Sequence, residues 1–389
     1  MPVKITPLEN KPLGAKVTLP EGCTDPSTLN EEDFQTLYNA LLTHLVLVIP
    51  GMENLTPKSQ WKLTTMFDSS CDQTGKSYGH GKEFRHAQSV LRKDGTAIPD
   101  QPQVQVLGQG TFPPGHYGLD EITLTHPTHF TFHKDPLPEE KCFNKNTGAK
   151  DASNDDLELT RYYRWHIDSA LYKLSPPVCT TLLGIHVPPH NRLQKIVYED
   201  NGDELNLTQG ATCFVSGANA FDLLSDEDKE LALHSTVVYA PHPYIFISPA
   251  GATADGLTMV SEGKEMALDK LPEWEEKYVK KLPLVWTNPV TKKQHLQVHG
   301  CCIYQLILPD GSVLELEEAR KKAHKLMRPA IDPQHVYAHS WDKGDLCIFF
   351  NRGVWHSVTG QFDEGEKRLM HQCNIASGND PVTILSPEE

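Results

Sequence analysis

The 389-residue sequence lacks any long apolar segment, and its longest unbroken aliphatic run covers only residues 45–49. A helix that crosses a bilayer needs about 20 apolar residues, and a secretory signal also needs an apolar core. We therefore expect a soluble, cytoplasmic protein with no membrane partner. Basic charge is also scarce, because 36 Lys and Arg residues stand against 51 Asp and Glu residues and the formal net charge is −15. Such a surface repels phosphate backbones, so we expect no nucleic-acid partner.

Cysteine pairs of the CxxC type are absent, and the nine cysteines are an odd set scattered along the chain. This usage is typical of reduced thiols in a cytosolic protein. The sequence also has no internal repeat and no low-complexity linker. Its length alone leaves the number of domains open.

The N-terminal part contains signals for two helices. Asn30 followed by Asp33 is typical of a helix N-terminus, and apolar residues recur at helical spacing over residues 34–41 before the strand-like run 45–49. Thr56 followed by a proline marks a second helix start, with the proline at its first position. We therefore expect a helix that leads into a strand, followed by another helix.

From Gln101 onward the composition is typical of an all-β sandwich or barrel, with short runs of Val, Ile, Thr and aromatic residues separated by Pro and Gly. The predicted strands are residues 104–107, 162–167, 180–187, 211–215 and 346–350. Two more helices are predicted over 229–233, capped by Ser225 and Asp228, and over 316–327. The sequence thus predicts a mainly β protein with flanking helices, an α+β fold.

The segment RYYRWHID contains a histidine and an aspartate two positions apart, His166 and Asp168. On a strand such residues point to the same face, so both side chains can reach one metal ion while Ile167 packs away from it. Two histidines and one carboxylate on one face of an octahedron leave three positions open for co-substrate and oxygen, as in non-heme Fe(II) oxygenases. A third ligand is therefore expected from a distant strand.

His356 is the predicted third ligand. It lies 190 positions after the first histidine, in GDLCIFFNRGVWHSV, where a buried strand leads into a turn. Twelve positions further on, Arg368 is placed to form a bidentate pair with the distal carboxylate of a small dicarboxylic acid. A second HxD pair, His133 and Asp135, is rejected because Pro136 follows it at once and proline does not fit inside a paired strand. We therefore predict one metal centre.

These residues resemble the taurine dioxygenase superfamily of 2-oxoglutarate-dependent enzymes. The broad resemblance is carried by WHIDSALYKLSPPVCTTLL, GATCFVSG, TNPVTKKQHLQV and WDKGDLCIFFNRGVWHSV, which are spread over most of the chain. A narrower resemblance to the fungal xanthine dioxygenases rests on RYYRWHID, YAPHPYIFISPA, SEGKE and QCN. The resemblance implies a double-stranded β-helix, or jelly roll, formed by one domain over residues 1–389. Residues 136–156 are rich in Lys, Asn, Asp and Glu and predict a lid insertion.

The resemblance also implies an enzyme that uses Fe(II), O₂ and 2-oxoglutarate, hydroxylates xanthine at C8 to urate and releases succinate and CO₂. Its metal ligands match the three predicted above, and the arginine that pairs with 2-oxoglutarate matches Arg368. Thr212 matches a position whose hydroxyl supports the same carboxylate. The preceding residue, Ala211, departs from the aspartate that is frequent in the superfamily.

Xanthine is a flat heterocycle with alternating carbonyl and N–H groups, so its site is expected to contain side-chain amides and a cation that favours an anionic tautomer. Gln372 and Asn374, which follow the last core strand, are the first candidates for the amides. The further substrate-binding candidates are Gln105, Gln109, the cation Lys134 and the flanking thiol Cys373.

Three alternatives remain open. The same chemistry could act on a sulfonate or another small organic acid, which would call for a second cationic anchor. A cupin-like metal protein that does not use 2-oxoglutarate would have no need of Arg368. A catalytically silent relative would have no reason to place two imidazoles and a carboxylate together, since this is costly without a metal. The expected partner is therefore a small molecule, xanthine or a related purine, and the oligomeric state is not predicted.

Overall fold

The computed structural model of the chain describes residues 1–71, 86–91, 95–143 and 157–385. Its α-helices are α1 (Glu31–His44), α2 (Pro57–Met66), α3 (Glu139–Cys142), α4 (Gly217–Asp222), α5 (Asp226–His234), α6 (Pro243–Phe246) and α7 (Leu316–Met327). Its β-strands are β1 (Lys4–Pro7), β2 (Ala15–Thr18), β3 (Val46–Ile49), β4 (Gly95–Ile98), β5 (Gln101–Phe112), β6 (Ile122–Leu124), β7 (Glu158–Thr160), β8 (Cys179–His186), β9 (Leu193–Val197), β10 (Glu204–Thr208), β11 (Thr212–Ser216), β12 (Thr236–Tyr239), β13 (Lys281–Pro283), β14 (Val285–Thr287), β15 (Gln294–Leu296), β16 (Ile303–Ile307), β17 (Val313–Leu314), β18 (Tyr337–His339), β19 (Leu346–Phe350), β20 (Val354–Val358) and β21 (Arg368–Asn374). Strands outnumber helices, which confirms the predicted mainly β fold with flanking helices.

Two sheets frame the part of the fold that positions the predicted ligands. The larger has the order β1-β2-β3-β19-β8-β21-β5-β4, with β6 beside β5, and the smaller has the order β18-β11-β20. The smaller sheet is antiparallel, and in the larger sheet only β2 and β3 run parallel. Leu183 and Ile348 of the larger sheet belong to one buried cluster with Phe214 and Val354 of the smaller sheet. The two sheets therefore share an apolar core.

The predicted helix starts are confirmed by their caps. Asn30 Oδ1 accepts a hydrogen bond from the backbone N–H three residues later at 2.9 Å, and Thr56 Oγ1 does the same at 3.1 Å. Ser225 caps α5 in the same way, and α7 spans the predicted residues 316–327. Local signals therefore sufficed for these helices.

Four of the five predicted strands are confirmed and one is wrong. The confirmed runs, 104–107, 180–187, 211–215 and 346–350, overlap β5, β8, β11 and β19. The run 162–167 forms only isolated bridges, from Tyr162 to Thr359 and from His166 to His356. Between these bridges the N–H of Trp165 donates to the carbonyl of a loop residue, Gly256, at 2.9 Å. Because consecutive N–H groups bond to different segments, no continuous ladder forms.

The predicted lid over residues 136–156 falls only partly within the described residues. Residues 139–142 form the short helix α3, and the carbonyl of Cys142 accepts a hydrogen bond from Gln361 at 2.7 Å. Residues 144–156 lie outside the described residues, so the lid stays a prediction. No helix in the described ranges has the length and apolar composition needed to cross a bilayer.

Candidate metal centre and active site

The side chains of His166, Asp168 and His356 converge. Oδ1 of Asp168 lies 3.7 Å from Nε2 of His166 and 3.6 Å from Nε2 of His356. The three ligand atoms lie within 4.8 Å of one another, and this is the one such His, Cys, Asp and Glu group in the part of the chain that the structure describes. Two imidazoles and one carboxylate at this spacing fit the facial arrangement of non-heme Fe(II) sites.

Hydrogen bonds to the backbone hold the three predicted ligand residues in register. The N–H of His166 donates to the carbonyl of His356, and the N–H of His356 donates to the carbonyl of His166, both at 3.0 Å. Asn351, between β19 and β20, bonds the backbone of Asp168 twice: Oδ1 accepts from its N–H and Nδ2 donates to its carbonyl, both at 2.8 Å. The segment that contains His166 and Asp168 is therefore held beside β20, although the segment itself is not a regular strand.

Hydrogen bonding and burial set the state of the imidazoles. Nδ1 of His166 donates to the carbonyl of Arg164 at 2.9 Å, which leaves the Nε2 lone pair for a metal. Burial, and then the nearby His356, holds the pKa of His166 well below its usual value, and burial also lowers the pKa of His356. Both imidazoles are therefore neutral near pH 7, the form that binds a metal.

The two carboxylate oxygens of Asp168 have different neighbours: one faces the two histidines, and the other accepts hydrogen bonds from polar side chains. Its Oδ2 accepts hydrogen bonds from Thr180 at 2.6 Å, from Asn374 at 3.1 Å and from Gln372 at 3.4 Å. Because Asp168 is only 1% exposed, these donors replace water around the carboxylate. Its Oδ1 remains directed at the two imidazoles. The residues present therefore fit a divalent iron.

The rejected HxD pair is used for other contacts. Nε2 of His133 lies 2.9 Å from the carbonyl of Tyr163, and burial lowers the pKa of His133 to about 4. The Asp135 side chain is exposed, and its backbone carbonyl accepts a hydrogen bond from Arg161. The two side chains therefore do not form a metal site, as the following proline predicts.

A cavity lies beside the three predicted ligand residues. Seven of the eleven residues predicted for the site line it: Gln105, His166, Asp168, Thr212, His356, Arg368 and Gln372. The other four, Gln109, Lys134, Cys373 and Asn374, do not. The candidates for the metal and the co-substrate therefore share one cavity with two of the substrate candidates.

Arg368 is the first residue of β21 and the co-substrate candidate. It is 3% exposed, and its Nε and Nη2 have no hydrogen-bond partner among the described residues. Burial lowers the pKa of Arg368 to about 10. Gly108 on β5 permits the close approach of the two strands, since an added Cβ would lie 1.8 Å from the Arg368 carbonyl oxygen. A buried guanidinium with unpaired donors is costly unless an anion binds it, so the site suits a carboxylate of a ligand.

Thr212 lies on β11, which pairs with β20 of the smaller sheet. Its Oγ1 accepts a hydrogen bond from Nε1 of Trp341 at 3.1 Å. Since a hydroxyl both accepts and donates, Thr212 retains its own proton for an acceptor in the cavity. This arrangement is compatible with the predicted contact to 2-oxoglutarate.

Two of the amide candidates reach the cavity. Gln105 on β5 and Gln372 on β21 are directly opposite each other in the antiparallel pair, and both line the cavity. Directly opposite residues place their side chains next to each other on one face of the sheet. Two adjacent amides match the donors and acceptors of a heterocycle with alternating carbonyl and N–H groups.

The remaining four candidates contact other groups. Asn374 is 1% exposed and donates to Asp168, and Gln109 Oε1 accepts a hydrogen bond from a backbone N–H at 2.9 Å. Cys373 is fully buried in an apolar cluster, on the face of β21 opposite to its two neighbours. Lys134 is exposed. None of these four side chains lines the cavity, and their contact with a substrate stays a prediction.

Comparison with known proteins identifies the family. Residues 117–374, which include the three ligand candidates and Arg368, match the family described as "Taurine catabolism dioxygenase TauD, TfdA family". The chain belongs to this family. Membership confirms the superfamily and the dioxygenase class that the sequence motifs predict.

Relatives within the TauD, TfdA family are similar over nearly the whole chain. The alpha-ketoglutarate-dependent xanthine dioxygenase xanA of Emericella nidulans is 46% identical over 384 residues, which cover 98% of each chain. The xanthine dioxygenase xan-1 of Neurospora crassa is 45% identical over 397 residues, 99% of this chain and 89% of that protein. A solved taurine dioxygenase from Burkholderia xenovorans has a TM-score of 0.57 at 16% identity, covers 98% of this chain and 93% of its own, and supports the fold alone. The narrower resemblance to the fungal xanthine dioxygenases is thus confirmed.

Sequence patterns did not single out three residues of this TauD, TfdA site. Thr180 donates to Asp168, Asn351 holds the Asp168 backbone, and Arg164 lines the cavity. Alternation offers a signal for Arg164, which is two positions before His166 and so belongs to the ligand face. Thr180 and Asn351 come from distant segments, and no local pattern connects them with Asp168.

Asn374→Ala is expected to weaken iron binding, because it removes a donor to the buried oxygen of Asp168. Loss of such a neighbour typically lowers metal affinity or activity by about 10- to 100-fold. Titration of the iron-free protein with Fe(II) measures the effect, and Thr180→Val is expected to act in the same direction. Asn201→Ala is the control, since Asn201 is exposed and bonds only within its own turn. If the KM for the organic substrate rises and the iron affinity does not change, Asn374 would instead bind the purine, as the sequence predicts.

Proposed function

We propose that the chain is an Fe(II)- and 2-oxoglutarate-dependent dioxygenase that hydroxylates xanthine at C8 and releases urate, succinate and CO₂. The observation that carries the proposal is one cavity lined by the three-residue ligand cluster, the unpaired cation Arg368 and the adjacent amides Gln105 and Gln372. Relatives named xanthine dioxygenases are 45% and 46% identical over nearly the whole chain, which supports this substrate.

His166, Asp168 and His356 would hold the iron, which when bound supplies the activation of O₂. The residues of the chain bind and orient the reactants. Arg368 would fix the far carboxylate of 2-oxoglutarate through two parallel hydrogen bonds, and the Thr212 hydroxyl would donate to the same group. Both contacts would hold the co-substrate in one orientation beside the metal ligands.

Gln105 and Gln372 would bind the purine, since each amide can accept from a ring N–H and donate to a carbonyl. Apolar side chains from three strands, Leu107, Leu182 and Val358, complete the cavity wall. They limit the access of water, which strengthens the polar contacts inside. The residues around the purine would therefore act by orienting it beside the iron. No side chain is assigned as a catalytic base.

We also propose that the two sheets form a double-stranded β-helix and that residues 1–389 are one dioxygenase domain, with the lid around residues 136–156. The apolar core shared by the sheets supports the first point. The similarity to xanA, which extends over 98% of both chains, supports the second.

The purified protein is expected to develop a weak visible absorption band when Fe(II) and 2-oxoglutarate are added without oxygen, because the co-substrate chelates the iron. Addition of xanthine and air is then expected to release succinate and urate in equal amounts, since one oxygen atom of O₂ enters each product. Chromatography measures both products, and a reaction without 2-oxoglutarate is the control. Succinate formation that xanthine does not stimulate and that yields no urate would contradict the proposed substrate.

A small organic acid such as a sulfonate is the second candidate substrate. The observation that favours it is a second buried cation, Arg164, in the same cavity as Arg368. A panel of sulfonates and other organic acids, assayed beside xanthine for succinate release, separates the two candidates. Succinate release that depends on an acid and not on xanthine would replace the purine proposal.

A further inference from the structure

Arg164 is a buried cation to which the proposed hydroxylation of xanthine assigns no role. It is 3% exposed and lines the cavity together with His166 and Arg368. Its Nε and Nη1 are buried and have no hydrogen-bond partner among the described residues. Arg161, three positions earlier, differs because its guanidinium bonds the carboxylate of Glu199. Arg164 thus resembles Arg368 rather than a structural arginine.

Three aromatic rings hold the Arg164 guanidinium in place. Its central carbon lies 5.2 Å from the ring centroid of Tyr244, 5.5 Å from that of Tyr163 and 5.7 Å from that of Phe132. Contacts of this kind offset only part of the hydration that a buried cation loses. The position of the charge is therefore fixed, while Nε and Nη1 of the guanidinium lack an acceptor among the described residues.

The charges in the cavity leave Arg164 unbalanced when the other partners are bound. Asp168 and a doubly charged 2-oxoglutarate supply three negative charges, and a divalent iron together with Arg368 supplies three positive charges. Arg164 adds one more positive charge at a site with little water, where an uncompensated charge is costly. As lined by the described residues, the cavity is thus complementary to one further anion.

We propose that Arg164 is a substrate-binding residue that selects the substrate as an anion, an oxopurine that has lost one ring proton; this inference rests on the proposed function above. A guanidinium presents parallel donors that match a carbonyl oxygen next to a deprotonated ring nitrogen, as they match a carboxylate. Xanthine has such an edge, because a carbonyl flanks an acidic ring N–H. Lys134, the cation predicted from the sequence for this purpose, is exposed and lies outside the cavity.

Arg164→Gln keeps a hydrogen-bonding side chain and removes the charge. It is expected to raise the dissociation constant of xanthine about 10- to 100-fold, the loss typical of a hydrogen bond to a charged group. The affinity for 2-oxoglutarate is expected to change by less than about threefold, because Arg368 binds that carboxylate. Both constants are measured without oxygen, from the visible band of the protein loaded with Fe(II). Arg164→Lys, which keeps the charge without the planar fork, is expected to recover part of the loss.

The wild-type protein is also expected to bind xanthine more tightly as the pH rises through the first ionisation of xanthine, and Arg164→Gln is expected to lose this dependence. Among the described residues, the titratable groups that interact with the guanidinium include Tyr163, Tyr244, His166, His299, His356, Cys301 and Cys302. Burial lowers the pKa of the three histidines and raises the pKa of Tyr244 and of both cysteines. These six groups therefore keep one protonation state near neutral pH.

Arg161→Gln is the matched control, because Arg161 is a buried cation of the same segment that does not line the cavity. It is expected to lower thermal stability and to leave xanthine binding unchanged. Near-UV circular dichroism and the band with 2-oxoglutarate report whether each variant retains its fold and site. Xanthine binding by Arg164→Gln within threefold of wild type, or an equal loss in both variants, would overturn the role of Arg164. If wild type forms no urate, the proposed function fails separately, and the same variants are compared on the acid that supports succinate release.

Discussion

An Asp168→Ala protein is expected to lose urate and succinate formation by more than about 100-fold and to lose its iron on dialysis. Loss of a hydrogen-bonding neighbour of a metal ligand already costs about 10- to 100-fold, and this substitution removes the ligand itself. It also leaves the donors of Thr180, Gln372 and Asn374 without their buried acceptor. Atomic absorption measures the retained iron, and chromatography measures the two products.

Asp135→Ala is the matched control for this substitution, because Asp135 belongs to the rejected HxD pair and its side chain is exposed. It is expected to keep wild-type iron content and activity. Thermal unfolding of both variants separates loss of the metal from loss of the fold. Urate formation at the wild-type rate by Asp168→Ala reconstituted with iron, or by His166→Ala under the same conditions, would refute the ligand assignment.

The spacing of His166 and Asp168 was enough to predict that their side chains point to the same side of the backbone, although their segment is not a regular strand. An extended backbone alternates its side chains whether or not neighbouring strands pair with it. The partner of that segment could not be predicted in the same way. The mutual bonds between His166 and His356 and the contacts of Asn351 join positions that are far apart in the sequence. Helix caps, by contrast, need only neighbouring residues, and their prediction was confirmed.

The contacts of individual residues on a strand could not be predicted from the sequence either. Gln372 and Asn374 share one face of β21, as alternation predicts, but pairing with β8 decides what each side chain meets. Asn374 lies opposite Thr180, and both donate to Asp168. Gln372 lies opposite Leu182, donates to Asp168 at the longer distance of 3.4 Å and also lines the cavity. Register is set by non-local pairing, and a shift of one residue would exchange the two faces. The sequence therefore predicted the residue types near the site better than their individual contacts.

Burial separated the two cation candidates for the substrate. Lys134 and Arg164 both lie near aromatic residues in the sequence, and only Arg164 also has the alternating spacing from His166. In the structure Lys134 is exposed, whereas Arg164 is 3% exposed and lies among three rings. A cation in water is already solvated, so it gains little from a ligand, while a buried cation without a counter-ion gains much.

Arg368→Met is expected to raise the KM for 2-oxoglutarate by about 100-fold or more. A bidentate pair contributes two charge-assisted hydrogen bonds of about 1.5–3 kcal/mol each, and about 1.4 kcal/mol corresponds to a tenfold change in affinity. The substitution is expected to leave iron binding unchanged, because Arg368 is not one of the ligand residues. Steady-state kinetics with varied 2-oxoglutarate at saturating xanthine measure the KM.

The same substitution is expected to stabilise the protein in the absence of co-substrate. Burial lowers the pKa of Arg368 to about 10, and two of its nitrogens lack partners among the described residues. A cation whose pKa is lowered on folding destabilises the folded state at every pH below that pKa, because the unfolded chain binds the proton more tightly. An apolar side chain of similar volume is expected to raise the free energy of unfolding at pH 7 by on the order of 1–3 kcal/mol. Chemical denaturation of the iron-free protein measures this change.

Arg352→Met separates the effect of burial from the effect of co-substrate binding. Burial lowers the pKa of Arg352 to about 10 as well, but its Nε and Nη2 donate to the Pro176 carbonyl at 3.2 and 2.7 Å, and it does not line the cavity. Its replacement is therefore expected to destabilise the protein and to leave the KM for 2-oxoglutarate unchanged. With Fe(II) bound, 2-oxoglutarate is expected to raise the unfolding temperature of wild type and Arg352→Met far more than that of Arg368→Met. A full shift in Arg368→Met would mean that another cavity group, Arg164 or Thr212, binds the far carboxylate.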